Sequence, residues 1–470
     1  MSTSTNLSIN TLLNKAMMSL HLASKEQPAS NEDVLREERL SIRQKLLSYN
    51  PVSPYQAHTL HYAMKSLAYL PAPVLEGVIG YLKGPDSKQY LHANAHLRLI
   101  LAVNNYLKKP LELTPMPELR DRFKTDAVAM QSPKVWQRVS NHMLSNIKPF
   151  VKKGETTVNW QDKKIANADD GDGDGDGDGD MTIRCYQSDG KLMGFRKKRI
   201  CNPDETVMLF FHGGGFCIGD VDTHHEFCHT VCEQTGWSVV SVDYRLAPEC
   251  PAPAALKDCI VAYDWLTKHC HTLGALPSRI VLAGDSAGGG LSTLIAQQLT
   301  GPSKSAWLDL GVDGQRMFEL LKRLPKPLAQ MPLYPVTDVE TDYPSWELYG
   351  EGLLLDHADV AVFDAACLDN SPLPRLHVLH SPMLGDNSQV CPTYIIAAEL
   401  DVLRDEALAY AEQLKSHHVP VEIRTILGAP HGFIHFMSIH HGLGQETKDL
   451  INGFGSFVRE VIESQSRLAA

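Results

Sequence analysis

From residue 181 onward, short apolar runs rich in β-branched residues alternate with stretches of helical spacing. The apolar runs cover residues 181–187, 207–211, 238–243, 279–283, 331–334, 394–398 and 421–427. This alternation predicts an α/β fold, in which a mainly parallel central sheet is flanked by helices. A longer polar stretch, residues 301–327, indicates a surface insertion with its own short helix near 317–324.

The first hundred residues show helical spacing alone. Helix-like stretches cover about residues 9–20, 31–48, 57–70 and 92–107, and prolines separate them. Isolated helices with apolar faces need a partner to be stable. We therefore predict a helical N-terminal extension over residues 1–113, packed on the α/β core or on a second copy of the chain, so that a homodimer is one expectation.

Aspartate and glycine alternate over residues 169–180. Such a segment has no apolar side chains to bury and its like charges repel, which predicts a solvated, flexible loop. Calcium binding is the alternative, because aspartates on glycine turns are good oxygen ligands. The glutamate that closes an EF-hand loop at position 12 is missing, however, since counting from Asp170 places Met181 there.

Charge and composition exclude several classes of partner. The formal net charge of −11 and the pI near 6.0 give no basic surface for nucleic acid. Neither a signal peptide nor a run of about 18 apolar residues occurs, so we expect no membrane span and a cytoplasmic protein. The ten cysteines are sparse, which favours reduced, buried thiols over a disulfide framework.

One cluster has the residue types of a metal site: His224, His225, Cys228, His229 and Cys232. Most of its members are three or four residues apart, on one face of a helix. No distant second pair of ligands completes a tetrahedron, so packing inside a helix layer is the favoured interpretation. We expect neither a metal nor a cofactor.

The segment Gly284-Asp285-Ser286-Ala287-Gly288 follows a strand-like run and opens a helical pattern. This is the setting of a nucleophile elbow, in which a strained turn projects the serine hydroxyl above the sheet. Ser286 is therefore the candidate nucleophile. Upstream, His212-Gly213-Gly214-Gly215 follows another strand-like run, and we predict that the N–H groups of Gly213, Gly214 and Ala287 form the oxyanion hole.

A serine nucleophile needs a base and an acid that orients the base. His431 follows the last predicted strand in a Pro-His-Gly-Phe turn and is the candidate base, with His435, His440 and His441 as competitors. Asp401 lies at the carboxyl end of the preceding strand and is the candidate acid. Glu399, which flanks the same strand end, stays open as an alternative.

These motifs resemble those of the hormone-sensitive-lipase-like (family IV) α/β-hydrolases. Four blocks match that pattern in order: His212 to Phe216, Asp243 to Glu249, Gly284 to Gly289, and Asp401 to Glu406 with His431-Gly432-Phe433. The resemblance implies an α/β-hydrolase fold with a cap, and a buried ion pair of Arg245 that supports the glycine loop. We therefore predict two further parts of the chain after the N-terminal extension. Residues 114–205 contain a cap helix, the Asp-Gly loop and the first strands, and residues 206–470 form the catalytic core.

The family resemblance also implies hydrolysis of short- to medium-chain acyl esters, so a small-molecule ester is the expected substrate. Amide, formamide or lactone hydrolysis is an alternative, because the same triad performs all of these acyl transfers. A ligand receptor without activity is a third hypothesis. It is disfavoured because such proteins lose triad members, and this chain keeps all three.

Overall fold

An eight-stranded sheet organises the part of the chain that the computed structural model describes, residues 61–62, 64–82, 93–108, 110–136, 158–168, 181–188 and 205–469. Its strands are β1 (Val158–Ile165), β2 (Met181–Ser188), β3 (Val207–Phe211), β4 (Ser238–Asp243), β5 (Ile280–Asp285), β6 (Ala329–Leu333), β7 (Thr393–Leu400) and β8 (Val421–Pro430). They lie in the order β1-β2-β4-β3-β5-β6-β7-β8. From β4 to β8 every pairing is parallel, which confirms the predicted fold class.

Helices cover both faces of this sheet. They are α1 (Ala72–Leu82), α2 (Ala95–Leu107), α3 (Met116–Met130), α4 (His225–Thr235), α5 (Ala254–His269), α6 (Ala287–Thr300), α7 (Lys304–Leu308), α8 (Gly311–Leu321), α9 (Pro344–Leu348), α10 (His357–Leu368), α11 (Arg404–Ser416) and α12 (His441–Ala469). In β3, Leu209 packs with α5 and α6 on one face, whereas Phe210 packs with α4 and α12 on the other. Successive strand residues point to opposite faces, so the central strands are apolar throughout.

The edge strand β1 was not predicted. It pairs antiparallel with β2, and its central residues Asp162 and Lys163 are exposed or half-buried. Because an edge strand buries little of its surface, its sequence carries a weak apolar signal. The segment 301–327 also differs from the prediction: it forms α7 and α8, and Trp307 is completely buried in the core instead of lying in a surface insertion.

The described N-terminal helices pack on the sheet domain. Side chains of α1 such as Ile79 pack against Leu99 of α2, while Leu97 and Leu101 of α2 join the core on one face of the sheet. At the end of α2, Lys108 forms ion pairs with Asp356 and with Asp359 at the start of α10. The helix-like stretches 9–20 and 31–48 and the Asp-Gly run 169–180 lie outside the described residues.

Candidate active site

The backbone at Ser286 has the strained geometry of a nucleophile elbow. Ser286 joins β5 to α6 with φ 54° and ψ −120°, a region that costs a non-glycine residue roughly 1–3 kcal/mol. Its N–H donates to the Leu333 carbonyl at 2.9 Å, and its carbonyl accepts from Gly290 at 2.9 Å. A Cβ atom on Gly288 would lie 2.0 Å from the Phe211 carbonyl oxygen, so glycine is required where α6 crosses β3.

The structure brings His431 and Asp401 to this serine. His431 Nε2 lies 2.8 Å from Ser286 Oγ, and His431 Nδ1 lies 2.8 Å from Asp401 Oδ2. Asp401 follows β7 and His431 follows β8, so parallel strands deliver both side chains to the same edge of the sheet. Asp401 is buried, and the Leu403 N–H donates to its second oxygen at 2.9 Å.

The alternatives named from the sequence have other partners. Glu399 accepts a hydrogen bond from the Gly428 N–H at 2.6 Å, which ties β7 to β8. His435 packs edge-on against His224, and His440 stacks on His96 of α2 with ring centroids 5.4 Å apart. His441 begins α12. The geometry therefore singles out Asp401 and His431 as the groups in line with Ser286.

In the glycine loop, the position of Gly213 differs from the predicted oxyanion hole. The Gly213 N–H donates to Asp285 Oδ1 at 2.8 Å, so it is committed to a carboxylate and does not face a substrate. Gly214 and Gly215 line the cavity beside Ser286, and Gly214 has φ +121°, which favours glycine. Ala287 begins α6, where an N–H has no acceptor within the helix.

Aromatic stacking holds this glycine loop in place. The buried His212 ring stacks on Tyr244 with centroids 4.2 Å apart, and the Tyr244 hydroxyl donates to the His212 carbonyl at 2.6 Å. Burial, with the neighbouring His224, lowers the pKa of His212 to about 4, so this imidazole is neutral near pH 7. Arg245 forms an ion pair with a carboxylate, as predicted, and the structure identifies this partner as Asp258, which is completely buried.

A second polar network lies beneath the nucleophile. His224 Nε2 lies 3.0 Å from Asp285 Oδ1, and Thr223 Oγ1 lies 2.8 Å from His224 Nδ1. Burial alone would raise the pKa of Asp285, but the charge and hydrogen bond of His224 outweigh it and hold the pKa below its usual value. The sequence named Asp285 only as part of a motif. Its place at the end of a strand that is predicted to be fully buried could have indicated this role, because a buried carboxylate needs hydrogen-bond or ionic partners.

Ligating atoms of His224, Asp285 and His435 lie within 4.8 Å of one another, and imidazole with carboxylate is a donor set that zinc accepts. Asp285 Oδ1, however, already accepts hydrogen bonds from Gly213 and His224, so the group is explained as a hydrogen-bond network. The cysteines of the cluster named from the sequence, Cys228 and Cys232, are completely buried in the core of the sheet domain. His225 instead contacts the Tyr186 hydroxyl at 3.0 Å.

A cavity of about 330 Å³ opens at Ser286 and His431. Its walls are mainly apolar and come from α3, α5, α6 and α10, together with the turn after β8. Phe123 and Phe363 are among the aromatic groups that line it. An apolar cavity with a few polar groups at one point is the usual form of a small-molecule site.

Comparison with known proteins identifies the family and the fold of this chain. Residues 208–435 match the model of a family described as having an alpha/beta hydrolase fold. The chain is 54% identical to "Lipase 2" of Moraxella sp. (strain TA144) over 87% of its own length and 92% of that protein. A segment of 91 residues, 19% of this chain and 12% of the relative, is 44% identical to "Hormone-sensitive lipase" of Ictidomys tridecemlineatus.

The chain belongs to the hormone-sensitive-lipase-like branch of the α/β-hydrolases. This family membership makes it a serine ester hydrolase. A solved structure, a hyperthermophilic esterase from the archaeon Pyrobaculum calidifontis, shares the fold with a TM-score of 0.58 and 24% identity, covering 78% of this chain and 98% of that one. Among the described helices of this hydrolase, none is long and apolar enough to cross a membrane.

Proposed function

We propose that this hydrolase cleaves carboxylic esters through an acyl-enzyme on Ser286, with His431 as the base and Asp401 as the acid that orients it. The observation that carries this proposal is the unbroken chain of contacts from Ser286 Oγ to His431 to Asp401, each 2.8 Å long. A serine hydroxyl is a weak nucleophile at neutral pH, and an imidazole within hydrogen-bond distance can accept its proton during attack.

In the first half of the reaction, Ser286 Oγ bonds to the ester carbonyl carbon while its proton passes to His431 Nε2. The N–H groups of Gly214, Gly215 and Ala287 stabilise the negative oxygen of the tetrahedral intermediate. His431 then gives the proton to the departing alcohol oxygen, which leaves an acyl-enzyme. Water, deprotonated by His431, attacks this ester and returns the free serine with a carboxylic acid.

The proposed substrates are short- to medium-chain acyl esters, because the resemblance to the hormone-sensitive-lipase-like family implies them and the cavity wall at Ser286 is mainly apolar. Protein groups supply the nucleophile, base and oxyanion donors, so the proposal requires no metal or cofactor. A cytoplasmic location is also proposed, supported by the free thiol state of the nine cysteines in the described residues. Homodimerisation stays a prediction, which light scattering of the purified chain tests.

The experiment that tests the triad uses p-nitrophenyl esters with an anilide and a lactone in parallel. Ser286→Ala, His431→Ala and Asp401→Asn should each lower kcat on esters by about 10⁴ or more, and the double variant of Ser286 and His431 should be hardly worse than either single one. Glu399→Gln is the matched control for the acid. A crippled Glu399→Gln beside a nearly normal Asp401→Asn would move the acid role to Glu399, and faster turnover of the anilide or lactone would replace the ester assignment.

A further inference from the structure

The helix α2 of the N-terminal extension reaches the cavity at Ser286. Asn104, in the last turn of α2, and Lys108, which directly follows this helix, both line the cavity. The Lys108 side chain is only 18% exposed, so its ammonium group is largely enclosed by protein. The N-terminal extension therefore forms part of the wall near the nucleophile.

Lys108 binds the start of α10. Its Nζ donates to Asp356 Oδ2 at 2.5 Å, and it also donates to Asp359. These two aspartates form the capping box of α10, in which the Asp356 N–H donates to Asp359 Oδ2 at 3.0 Å. Two carboxylates this close repel each other, and the ammonium group between them offsets that repulsion. Lys108 therefore fixes the start of α10 relative to α2.

The segment that leads into α10 depends on the same end of α2. Leu354, which lines the cavity, has φ +82°, a conformation that residues other than glycine rarely adopt. Lys108 Nζ donates to the Leu354 carbonyl at 3.2 Å, and Asn105 Nδ2 donates to the Gly352 carbonyl at 2.7 Å. A strained backbone persists only where surrounding contacts hold it, so Lys108 and Asn105 stabilise this part of the cavity wall.

The middle of α10 lies against the glycine loop. A Cβ atom on Gly215 would lie 2.4 Å from the Phe363 ring, so the ring and this glycine are in direct contact. The Cys217 thiol donates to the Phe363 carbonyl at 3.8 Å. Asp359 and Phe363 are four residues apart on α10, which is about 6 Å along the helix. Because closely packed groups move together, the position of α10 determines the position of Gly215.

We propose that Lys108 is a positioning residue for the oxyanion hole: by binding the start of α10 it holds Phe363 against Gly215. This inference rests on the proposed ester hydrolysis, in which the N–H groups of Gly214, Gly215 and Ala287 stabilise the tetrahedral intermediate. It gives the N-terminal extension a part in catalysis. Loss of the Lys108 ammonium group should weaken stabilisation of the oxyanion more than binding of the ester.

The first test measures kcat and KM for p-nitrophenyl acetate in full-length variants. Lys108→Met should lower kcat about tenfold and change KM less than about threefold, because the oxyanion forms only after the ester is bound. Lys108→Arg keeps the charge and should stay within about threefold of wild-type kcat. Arg98→Met is the matched control, since Arg98 lies on the same helix and its ion pair is with Glu76 of α1. This control should also stay within about threefold of wild type.

Inhibition by a trifluoromethyl ketone supplies a readout that a purely structural role of Lys108 would not change. Ser286 Oγ bonds to the ketone carbon while its proton passes to His431, and the electron pair of the C=O π bond moves onto the oxygen. The resulting oxyanion occupies the same hole as the reaction intermediate. The inhibition constant should rise about tenfold in Lys108→Met, in step with the loss of kcat/KM. Circular dichroism at the assay temperature establishes that the variant is folded.

A double variant tests the path through α10. Phe363→Ala removes the ring that contacts Gly215 and should itself lower kcat. If Lys108 acts through this ring, Lys108→Met/Phe363→Ala should be less than about threefold slower than Phe363→Ala alone. Two losses that multiply would show that Lys108 acts independently of Phe363 and would overturn the inference. If Lys108→Met does not fold, Asp359→Asn weakens the same contact from α10 and takes its place in each comparison.

Four other results would overturn this inference and leave the proposed ester hydrolysis intact. They are a folded Lys108→Met variant with unchanged kcat and inhibition constant, a loss confined to KM, an equal loss in Lys108→Arg, and an equal loss in Arg98→Met. A wild type that neither hydrolyses p-nitrophenyl acetate nor binds the trifluoromethyl ketone would, in contrast, overturn the proposed function itself.

Discussion

Asp285 connects the nucleophile turn to the glycine loop, and Asp285→Asn tests how much catalysis depends on that connection. Its carboxylate accepts the Gly213 N–H at 2.8 Å and faces His224 at 3.0 Å. Asparagine keeps the shape and one acceptor but loses the charge. Hydrogen bonds to charged groups contribute about 1.5–3 kcal/mol each, so the glycine loop should be held less firmly beside Ser286.

If this weaker positioning raises the transition-state free energy by about 1.5–3 kcal/mol, kcat falls about 10- to 150-fold. KM for p-nitrophenyl butyrate should change little, because Asp285 supports the oxyanion donors and not the acyl chain. Asp264→Asn is the matched control, since it breaks an ion pair with Lys268 on the surface of α5. A folded Asp285→Asn variant with kcat within about threefold of wild type would refute the reasoning.

Three other predictions concern metal, the N-terminal helices and pH. EDTA should leave ester turnover intact, and loss of activity restored by calcium or zinc would contradict this. Deletion of residues 1–109 should lower the melting temperature or cause aggregation, because it uncovers the core surface beneath α2. If the truncated protein is equally stable and soluble and keeps the same ester preference, the N-terminal extension is an independent module. Burial lowers the pKa of His212 to about 4 and the pKa of His225 and His435 to about 3. Below pH 6.5 the unfolded chain therefore binds more protons than the folded chain, and the free energy of unfolding should decrease as the pH falls from 6.5 toward 3. Buried carboxyls oppose this, because burial raises the pKa of Glu226 and Asp243 to about 7, that of Asp126 to about 6 and that of Glu406 well above its usual value. Burial also lowers the pKa of His229 and His440 to about 4, so the histidines outnumber these carboxyls, and a urea midpoint equal at pH 7 and 5.5 would count against the prediction.

The sequence was most informative where one short segment determines its own structure. The strand β5, the turn at Ser286 and the start of α6 follow each other without a gap, so a local motif was enough to place the nucleophile. Strands such as β3 and β7 are buried on both faces, and continuous apolar runs mark them. The order of Asp401 and His431 after two such strands then predicted which side chains would meet Ser286.

Contacts between distant segments could not be predicted in the same way. The assignment of the Gly213 N–H to the oxyanion hole was wrong, because this N–H donates to Asp285 instead. That hydrogen bond joins residues 72 positions apart, so the local sequence gave no sign of it. Trp307 lies in a polar stretch, and only the tertiary structure shows that α7 brings it into the core. The strand β1 is held by backbone pairing with β2, and its exposed polar residues do not show the apolar pattern by which a strand is predicted from sequence.

Covalent labelling of Ser286 tests the central claim most directly. A p-nitrophenyl phosphonate reacts with an activated serine and leaves a stable adduct, which peptide mass spectrometry can locate. One phosphonyl group per chain should appear on the peptide that contains Ser286, in step with loss of ester turnover, and labelling should slow by several orders of magnitude in His431→Ala. Stoichiometric labelling of another residue with loss of activity, or full activity in a chain labelled at Ser286, would contradict the account.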